Sequence, residues 1–265
     1  MVVTQLIVLA VVQGLTEFLP ISSSGHLVLV PSIFGWTDQG LAFDVAVHFG
    51  SLIAVCVFFR FDIAGVIRGA GDSLTGNHRS DGARMAKCLG LGTIPAAVAG
   101  LLFAGWIAAN LRDPAVVVVT LAGYGILMGL ADRYAPAERN ITDIRIRDAI
   151  IIGFAQALAL IPGTSRSGVT ITAGRLLGVA RQDAARFSFL LSAPIILLAS
   201  IYEGVKLITG DVPVPWDNLF LAVLISAVVA YISIEFFMRV VNVIGLLPFT
   251  IYRLLLASVI VYAVI

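Results

Sequence analysis

The sequence predicts an all-α integral membrane protein, with six transmembrane helices and two re-entrant helical hairpins arranged as an inverted-topology repeat. Of its 265 residues, 59% are hydrophobic and only 12% are charged, whereas soluble domains have roughly 45–50% and about 25%. Several apolar runs approach the ~20 residues that a helix needs to cross a bilayer. A net charge of +1 gives no indication of a nucleic-acid partner. We therefore expect a single membrane domain over residues 1–265 that binds no nucleic acid.

Six uninterrupted apolar runs predict the spanning helices, and they cover residues 42–59, 88–108, 115–131, 187–209, 218–238 and 247–265. Two further apolar stretches, 2–34 and 149–180, are interrupted in their middle by Pro, Ser and Gly. Backbone that is not helical is tolerated at membrane depth only where it is buried in protein or faces a wet cavity. We therefore interpret each interrupted stretch as a hairpin that enters and leaves the membrane on one side.

Lysine and arginine in the connecting segments set the predicted orientation, because cytoplasmic loops carry an excess of them. They concentrate in three segments, 60–87, 132–148 and 175–186. They are nearly absent from three others, 35–41, 109–114 (which has Arg112) and 210–217. This alternation requires that the six helices cross and that the two hairpins do not. It predicts cytoplasmic loops at 60–87 and 132–148, and both termini on the outer side.

A shift of 143 positions aligns the two hairpins and indicates an internal repeat. The aligned pairs are Gln13 with Gln156, Leu15 with Leu158, Ser22 with Ser165, Ser24 with Ser167 and Gly25 with Gly168. Three predicted spanning helices follow each hairpin, so repeat one (about 1–131) and repeat two (about 148–265) would have opposite orientations. In inverted repeats of this kind, the broken helices meet near the midplane and form the site there. The alternative is a chance similarity between two loops rich in Ser and Gly.

Each hairpin has a predicted break followed by a helix start. Pro20 ends the first helix, and Ser22 or Ser23 can cap a new helix that begins near Ser24. In the second hairpin Pro162 and Gly163 end the helix, and Thr164 or Ser165 can cap the next one. Two helix N-termini would then point into one central region. Their free N–H groups and dipoles make each a site for an anion.

The polar side chains beside these breaks are the candidates for chemistry. Arg166 offers a forked, permanently charged guanidinium suited to phosphate. Glu17 and Gln13 are four residues apart and share one helix face. His26 could exchange a proton near neutral pH, and a carboxylate beside phosphates is an ordinary place for Mg²⁺ or Ca²⁺. The alternative for Glu17 is a structural ion pair with Arg166. We expect His48 to pack or to line a cavity.

Two motifs resemble those of one known family, the bacterial undecaprenyl-diphosphate phosphatases of the bacitracin-resistance type. The sequence QGLTEFLPISSSGH is similar to its first signature, and PGTSRSGVT is similar to its second, Pro-Gly-x-Ser-Arg-Ser-Gly. The resemblance covers essentially the whole chain in length and segment order. It implies hydrolysis of undecaprenyl diphosphate to undecaprenyl phosphate and inorganic phosphate, which recycles the lipid carrier for cell-wall synthesis and confers bacitracin resistance. It also implies a multi-pass protein of the bacterial inner (cytoplasmic) membrane.

The resemblance also implies roles for individual residues. The expected catalytic residues are Glu17, Ser23, His26 and Arg166, with Glu17 and His26 in acid–base and metal chemistry and Ser23 as a nucleophile. With the serine hydroxyls at the two helix starts, the expected phosphate-binding set is Ser22, Ser24, Ser165, Arg166, Ser167 and Thr170. A divalent cation, Mg²⁺ or Ca²⁺, is expected at Glu17 and Gln13. Gln13 stands where some members have Glu, which argues against a mechanism that requires two carboxylates there.

A secondary transporter or flippase of a phosphorylated polyprenyl lipid is the alternative function, because inverted repeats with broken helices are transporter architecture. The combination of Glu17 with Ser23 and His26 favours the enzyme, since transport does not require a proton acceptor beside a hydroxyl. The sequence leaves open the prenyl chain length, the identity of the metal, and whether Ser23 or an activated water attacks. It also leaves open the leaflet to which the site opens and the oligomeric state, a homodimer included.

Overall fold

The computed structural model describes residues 2–37, 39–77, 80–111, 113–209 and 216–264, and these form α-helices with one short 3₁₀ turn and no strand. The helices are α1 (Val3–Thr16), α2 (Ser23–Phe34), α3 (Leu41–Phe58), α4 (Arg60–Leu74), α5 (Asp81–Asn110), α6 (Pro114–Tyr134), α7 (Ile146–Leu158), α8 (Arg166–Leu176), α9 (Arg181–Thr209), α10 (Trp216–Ile244) and α11 (Leu247–Val264). Arg112 and the segment 210–215, which entered the predicted topology, lie outside the described residues. The all-helical class is confirmed.

In the described part of the chain, five helices are long and apolar enough to cross a bilayer: α3, α5, α6, α9 and α10. They coincide with five of the six predicted spans. The sixth, 247–265, forms the apolar helix α11, whose described apolar part (Leu247–Tyr262) is shorter than the other five. Many large apolar side chains on these helices are exposed, such as Leu101 and Val119. This is the surface expected of a multi-pass membrane protein, whose outer residues contact lipid tails.

Each interrupted stretch forms two helices separated by a short non-helical loop. In the first, residues 17–22 separate α1 from α2; in the second, residues 159–165 separate α7 from α8. Each loop contains the proline that predicted the break, Pro20 or Pro162, because proline removes a backbone donor and disfavours helix before it. The helices end earlier than predicted, at Thr16 and Leu158, four residues before each proline. We call residues 17–22 the first loop and residues 159–165 the second loop.

Close helix packing through small residues sets where these loops lie. A Cβ at Gly153 of α7 would be 2.2 Å from the carbonyl oxygen of Gly92 in α5. A Cβ at Gly14 of α1 would be 2.8 Å from Val229 Cβ in α10. Glycine lets two backbones approach closely, which is the usual basis of helix association in membranes. Thus α1 is held against α10 and α7 against α5.

Helix α4 was not predicted, since residues 60–87 were interpreted only as a basic loop. It packs on the start of α5, where a Cβ at Gly69 would be 2.2 Å from the backbone nitrogen of Ala83. Its sequence is far less apolar than the spans and contains three glycines, so neither hydropathy nor helix propensity reveals it. The helix lies within the segment predicted to be cytoplasmic.

Candidate active site

The first loop contacts the start of α8, directly after the second loop, although about 150 residues separate them in sequence. Ser167 Oγ donates a hydrogen bond to the carbonyl oxygen of Leu19 at 3.1 Å, and Arg166 Nη2 donates to Glu17 Oε1 at 3.0 Å. The helices α1 and α7 end here, and α2 and α8 begin here. The structure therefore brings the two predicted motifs into one region.

The loops share one local geometry at the start of the helix that follows. Among the described residues, Ser22 (φ 73°) and Ser165 (φ 69°) are the non-glycine residues with positive φ. Each is the N-cap, and its Oγ accepts a hydrogen bond from a backbone N–H, Gly25 at 3.4 Å and Gly168 at 3.2 Å. Such backbone strain persists only where the surrounding structure enforces it, and it concentrates at functional sites.

A second serine, two residues after each N-cap, repeats as well. Ser24 Oγ lies 3.3 Å from Ser22 Oγ, and Ser167 Oγ lies 3.3 Å from Ser165 Oγ. Both caps are the serines at equivalent positions of the two hairpins, and the first helix begins at Ser23 rather than near Ser24. Of the caps considered from the sequence, Ser23 and Thr164 are therefore not used.

Glu17 is the centre of the polar cluster. Its Oε2 accepts hydrogen bonds from Gln13 Nε2 and from Ser23 Oγ, both at 2.8 Å, while its Oε1 faces Arg166. His48 Nε2 lies 3.6 Å from the same Oε2. The carboxylate is buried, so these donors offset the loss of hydration that would otherwise make a membrane carboxylate unfavourable. A hydroxyl bonded to a carboxylate is also the arrangement of a nucleophile beside its base.

Arg166 has hydrogen-bond donors that no described residue accepts. Its Nη2 binds Glu17, but Nε and Nη1 are buried without a hydrogen-bond partner among the described residues. The guanidinium carbon lies 5.6 Å from the centre of the Phe18 ring, and Phe18 is fully buried. The ring and the carboxylate therefore hold the fork in one orientation, with two N–H groups available to an anion.

Other predicted residues lie near the loops without touching Glu17. His26 Nδ1 is 2.7 Å from the carbonyl oxygen of Ser22, and its Nε2 is 2.6 Å from the hydroxyl of Tyr252. Because a carbonyl only accepts, Nδ1 carries a proton, and in the neutral ring Nε2 then accepts from Tyr252. Thr170 Oγ1 donates to the backbone of Arg166 at 2.8 Å and lies 2.6 Å from Ser188 Oγ. These groups support the two helix starts.

The residues at the site that were not predicted come from helices outside the two motifs. His48 of α3 faces Glu17, Ser188 of α9 contacts Thr170, and α11 contributes Tyr252 and Arg253. A polar residue inside an apolar helix was a signal available at each of these positions. Sequence reasoning had no means of pairing them with the loops, because their partners are 18 to 233 positions away.

The donor set suits a divalent cation only in part. Among the described residues, no three His, Cys, Asp or Glu side chains form a cluster that could hold a metal ion. Gln13 Oε1 is buried without a hydrogen-bond partner, one helix turn from the Glu17 carboxylate. One carboxylate and one amide oxygen fit Mg²⁺, which usually keeps several waters and takes further oxygens from substrate phosphates.

Comparison with known proteins assigns the family. The family model described as "Bacitracin resistance protein BacA" matches residues 6–259. The undecaprenyl-diphosphatase 2 of Stutzerimonas stutzeri (strain A1501) is 52% identical over 258 residues, which cover 96% of each chain. The undecaprenyl-diphosphatase of Hahella chejuensis (strain KCTC 2396) is 51% identical over 254 residues, covering 96% of this chain and 95% of that one. With matches of this length and identity, the chain belongs to the bacitracin resistance protein BacA family.

Proposed function

We propose that this protein hydrolyses undecaprenyl diphosphate to undecaprenyl phosphate and inorganic phosphate. The observation that carries the proposal is the pair of buried, unpartnered donors on Arg166 beside a serine hydroxyl bonded to a carboxylate, all within the described part of the chain. The relatives at about 50% identity are named undecaprenyl-diphosphatases. The reaction recycles the lipid carrier for cell-wall synthesis and accounts for the family's association with bacitracin resistance.

In the proposed mechanism the diphosphate binds between the starts of α2 and α8. Arg166 Nε and Nη1 donate to its oxygens, and the N-terminal N–H groups of both helices add donors. Ser23 Oγ attacks the terminal phosphorus while Glu17 Oε2 takes its proton. The bond from that phosphorus to the bridging oxygen breaks, and undecaprenyl phosphate leaves with the electron pair. Water then attacks the phosphoserine, Glu17 returns its proton to Ser23 Oγ as the bond from phosphorus to that oxygen breaks, and inorganic phosphate leaves with the protons of the water. Direct attack by water is the competing mechanism.

The proposed roles of the remaining residues follow from their contacts. His26 is held between Ser22 and Tyr252, so an acid–base role requires it to exchange the Tyr252 proton first. Ser22, Ser24, Ser165 and Ser167 orient the helix starts toward the phosphates. A divalent cation would be held by Glu17 and Gln13 Oε1, where it would neutralise charge on the transferring phosphoryl group.

We further infer six membrane crossings and two re-entrant hairpins in an inverted repeat, in the inner membrane. The matching backbone strain at Ser22 and Ser165 supports the repeat. So does the helix packing: a shift of 143 positions takes α1 to α7 and brings α10 onto α5, and the observed pairs are α1 with α10 and α7 with α5. In the order of helices within each repeat, α11 corresponds to α6, and we infer that it is the sixth crossing.

Phosphate release by purified protein in detergent, supplied with undecaprenyl diphosphate, tests the function. Arg166→Ala should lose on the order of 10³-fold or more in turnover, as other charge clamps on phosphoryl groups do. Arg166→Lys should restore little, because an ammonium does not reproduce the fork. Arg239→Ala is the control, since Arg239 lies on the surface of α10 and pairs with Glu235. Normal phosphate release from Arg166→Ala would refute the catalytic assignment and favour a lipid transporter.

A further inference from the structure

Helix α11 carries a fully buried arginine whose surroundings differ from those of an ordinary structural arginine. The side chain of Arg253 is 0% exposed. Its hydrogen bonds go to backbone carbonyl oxygens, and no carboxylate in the described part of the chain lies within ion-pair distance. A buried charge without a counter-ion is strongly unfavourable unless hydrogen bonds and nearby negative charge offset it.

The carbonyls that Arg253 binds belong to both loops of the candidate active site. One guanidinium nitrogen donates to Pro20 of the first loop at 3.4 Å. Another donates to Gly163 and Thr164 of the second loop, at 3.1 and 3.0 Å. Further bonds reach Thr120 and Leu121 of α6, at 3.3 and 3.1 Å. A single side chain therefore fastens the two loops to each other and to α6.

Two glycines make room for this side chain. A Cβ at Gly168, in the first turn of α8, would be 3.1 Å from Arg253 Nη1. A Cβ at Gly125 of α6 would be 3.3 Å from Arg253 Nε. The guanidinium is thus placed against the start of α8, where Arg166 and the helix N–H groups are proposed to bind phosphate. Its positive charge adds to that of the helix N-terminus.

Arg175 of α8 provides an internal comparison. It too is almost fully buried, and it donates to the backbone carbonyls of Pro136, Val179 and Ala135. Unlike Arg253, it has a carboxylate, because its Nε lies 3.5 Å from Asp132 Oδ1. At the end of α8 that lies away from the loops, Asp132 therefore serves as the counter-ion of Arg175. Beside the loops, the described part of the chain supplies none to Arg253.

We propose that Arg253 is a positioning residue of the phosphate site, with its counter-charge provided by the bound diphosphate. It fixes the first and second loops so that the starts of α2 and α8 face the same phosphates. Its charge raises the affinity of that region for anions. This inference rests on the proposed phosphate site, and a misplacement of about 1 Å in such a site reduces turnover by about 10²-fold.

Four variants separate this role from simple stabilisation: Arg253→Lys, Arg253→Gln, and the controls Arg175→Lys and Arg175→Gln. We expect Arg253→Lys to lower kcat by about 10²-fold with little change in KM, because the charge remains and the fork is lost. Arg253→Gln should lower kcat similarly and also raise KM by about 10-fold. The Arg175 variants should lower the unfolding temperature in detergent while kcat and KM of the folded protein stay within about 2-fold of wild type.

Protection by pyrophosphate against thermal unfolding gives a readout that does not need turnover. The wild type and Arg175→Gln should be stabilised by pyrophosphate, and Arg253→Gln should not. If the wild type binds pyrophosphate but releases no phosphate from the lipid, the hydrolytic function fails and the positioning role stands. If Arg253→Lys and Arg253→Gln keep wild-type kcat, KM and protection, the inference is wrong. Should neither fold, Gly125→Ala must lower kcat, because the three atoms nearest to its methyl group would all belong to Arg253.

Discussion

At the scale of single residues, the geometry around Glu17 distinguishes the proposed nucleophile from the groups that orient the carboxylate. Three side chains donate to the carboxylate or pair with it at 3.0 Å or less: Gln13, Ser23 and Arg166. Of these, Ser23 is the hydroxyl that could become a nucleophile by giving its proton to the carboxylate. Its neighbour Ser24 is exposed, and its hydroxyl lies 3.3 Å from that of Ser22 rather than beside the carboxylate. The two serines therefore allow a controlled test.

Ser23→Ala should reduce phosphate release to background if Ser23 is the nucleophile, because the phosphoserine can then no longer form. Acid quenching of wild type with labelled substrate should trap a phosphoenzyme, and the variant should give none. Ser24→Ala should still form the phosphoenzyme, because it removes a hydroxyl beside Ser22 and not the one bonded to Glu17. A loss of only about 10–100-fold in Ser23→Ala is what removal of one charged hydrogen bond would produce. That result would favour direct attack by water.

Gln13 and Gln156 occupy equivalent positions of the two hairpins but differ in their contacts. Gln13 donates to Glu17, whereas both amide atoms of Gln156 are buried without a partner among the described residues. Gln156→Leu should therefore keep activity and leave stability unchanged or raise it by about 1 kcal/mol. Gln13→Leu should lower kcat by about 10–100-fold. Thermal unfolding and phosphate release measure both; equal losses of activity would contradict the assigned difference.

Candidate site residues could be predicted where a charged side chain stands in an otherwise apolar sequence. Glu17 and Arg166 are conspicuous in an apolar sequence because membrane burial of a charge is unfavourable. The role of Arg253 was not predictable, since its partners are backbone carbonyls, which have no sequence signature, up to 233 positions away. His48 was predicted to pack or line a cavity, and only the fold shows that it faces Glu17.

At the scale of helices, the positions of the first and second loops depend on glycine contacts that hold α1 and α7 in place. The break positions could be predicted because Pro20 and Pro162 act locally. The contacts of α7 with α5 could not, since Gly92 and Gly153 resemble any other glycines in the sequence. These two glycines matter because they let the backbones of α5 and α7 approach closely, which only the folded structure shows. Helix α4 could not be predicted for a related reason. Its sequence is too polar to indicate a buried helix, and it is held by close backbone packing on α5.

Gly153→Ala should destabilise the protein, because its methyl group would lie 2.2 Å from the Gly92 carbonyl oxygen and the helices would have to separate. Overpacking of this kind destabilises by about 1–3 kcal/mol. Gly90→Ala is the matched control in α5, since a methyl group at Gly90 would meet no described atom within 4 Å. It should be neutral or slightly stabilising. Thermal unfolding in detergent compares them, and equal melting temperatures would show that the contact does not limit stability.

At the scale of the whole molecule, charge and helix length together predict which ends of the helices face the cytoplasm. Helix α5 contains 30 residues, and at 1.5 Å per residue it is about 45 Å long. That length matches a bilayer with its headgroups, about 40–45 Å. We therefore expect its start and its end on opposite faces. The basic residues Arg84 and Lys87 near its start, with Arg60 and Arg68 of α4, favour the cytoplasm for that end.

Cysteine labelling can test this orientation at the two ends of α5. In a background with Cys56 and Cys88 replaced by Ala, Asn77→Cys lies in the exposed connection before α5 and Asn110→Cys lies at its exposed end. A membrane-impermeant maleimide should label position 77 in inside-out vesicles and position 110 in right-side-out vesicles. Detergent should make both reactive, which confirms that each thiol is accessible. Labelling of position 77 from the outer side would reverse the orientation of every helix, since the positive residues fix them together. Labelling of both positions from one side would remove α5 from the set of crossings and, with it, the opposed orientation of the two repeats.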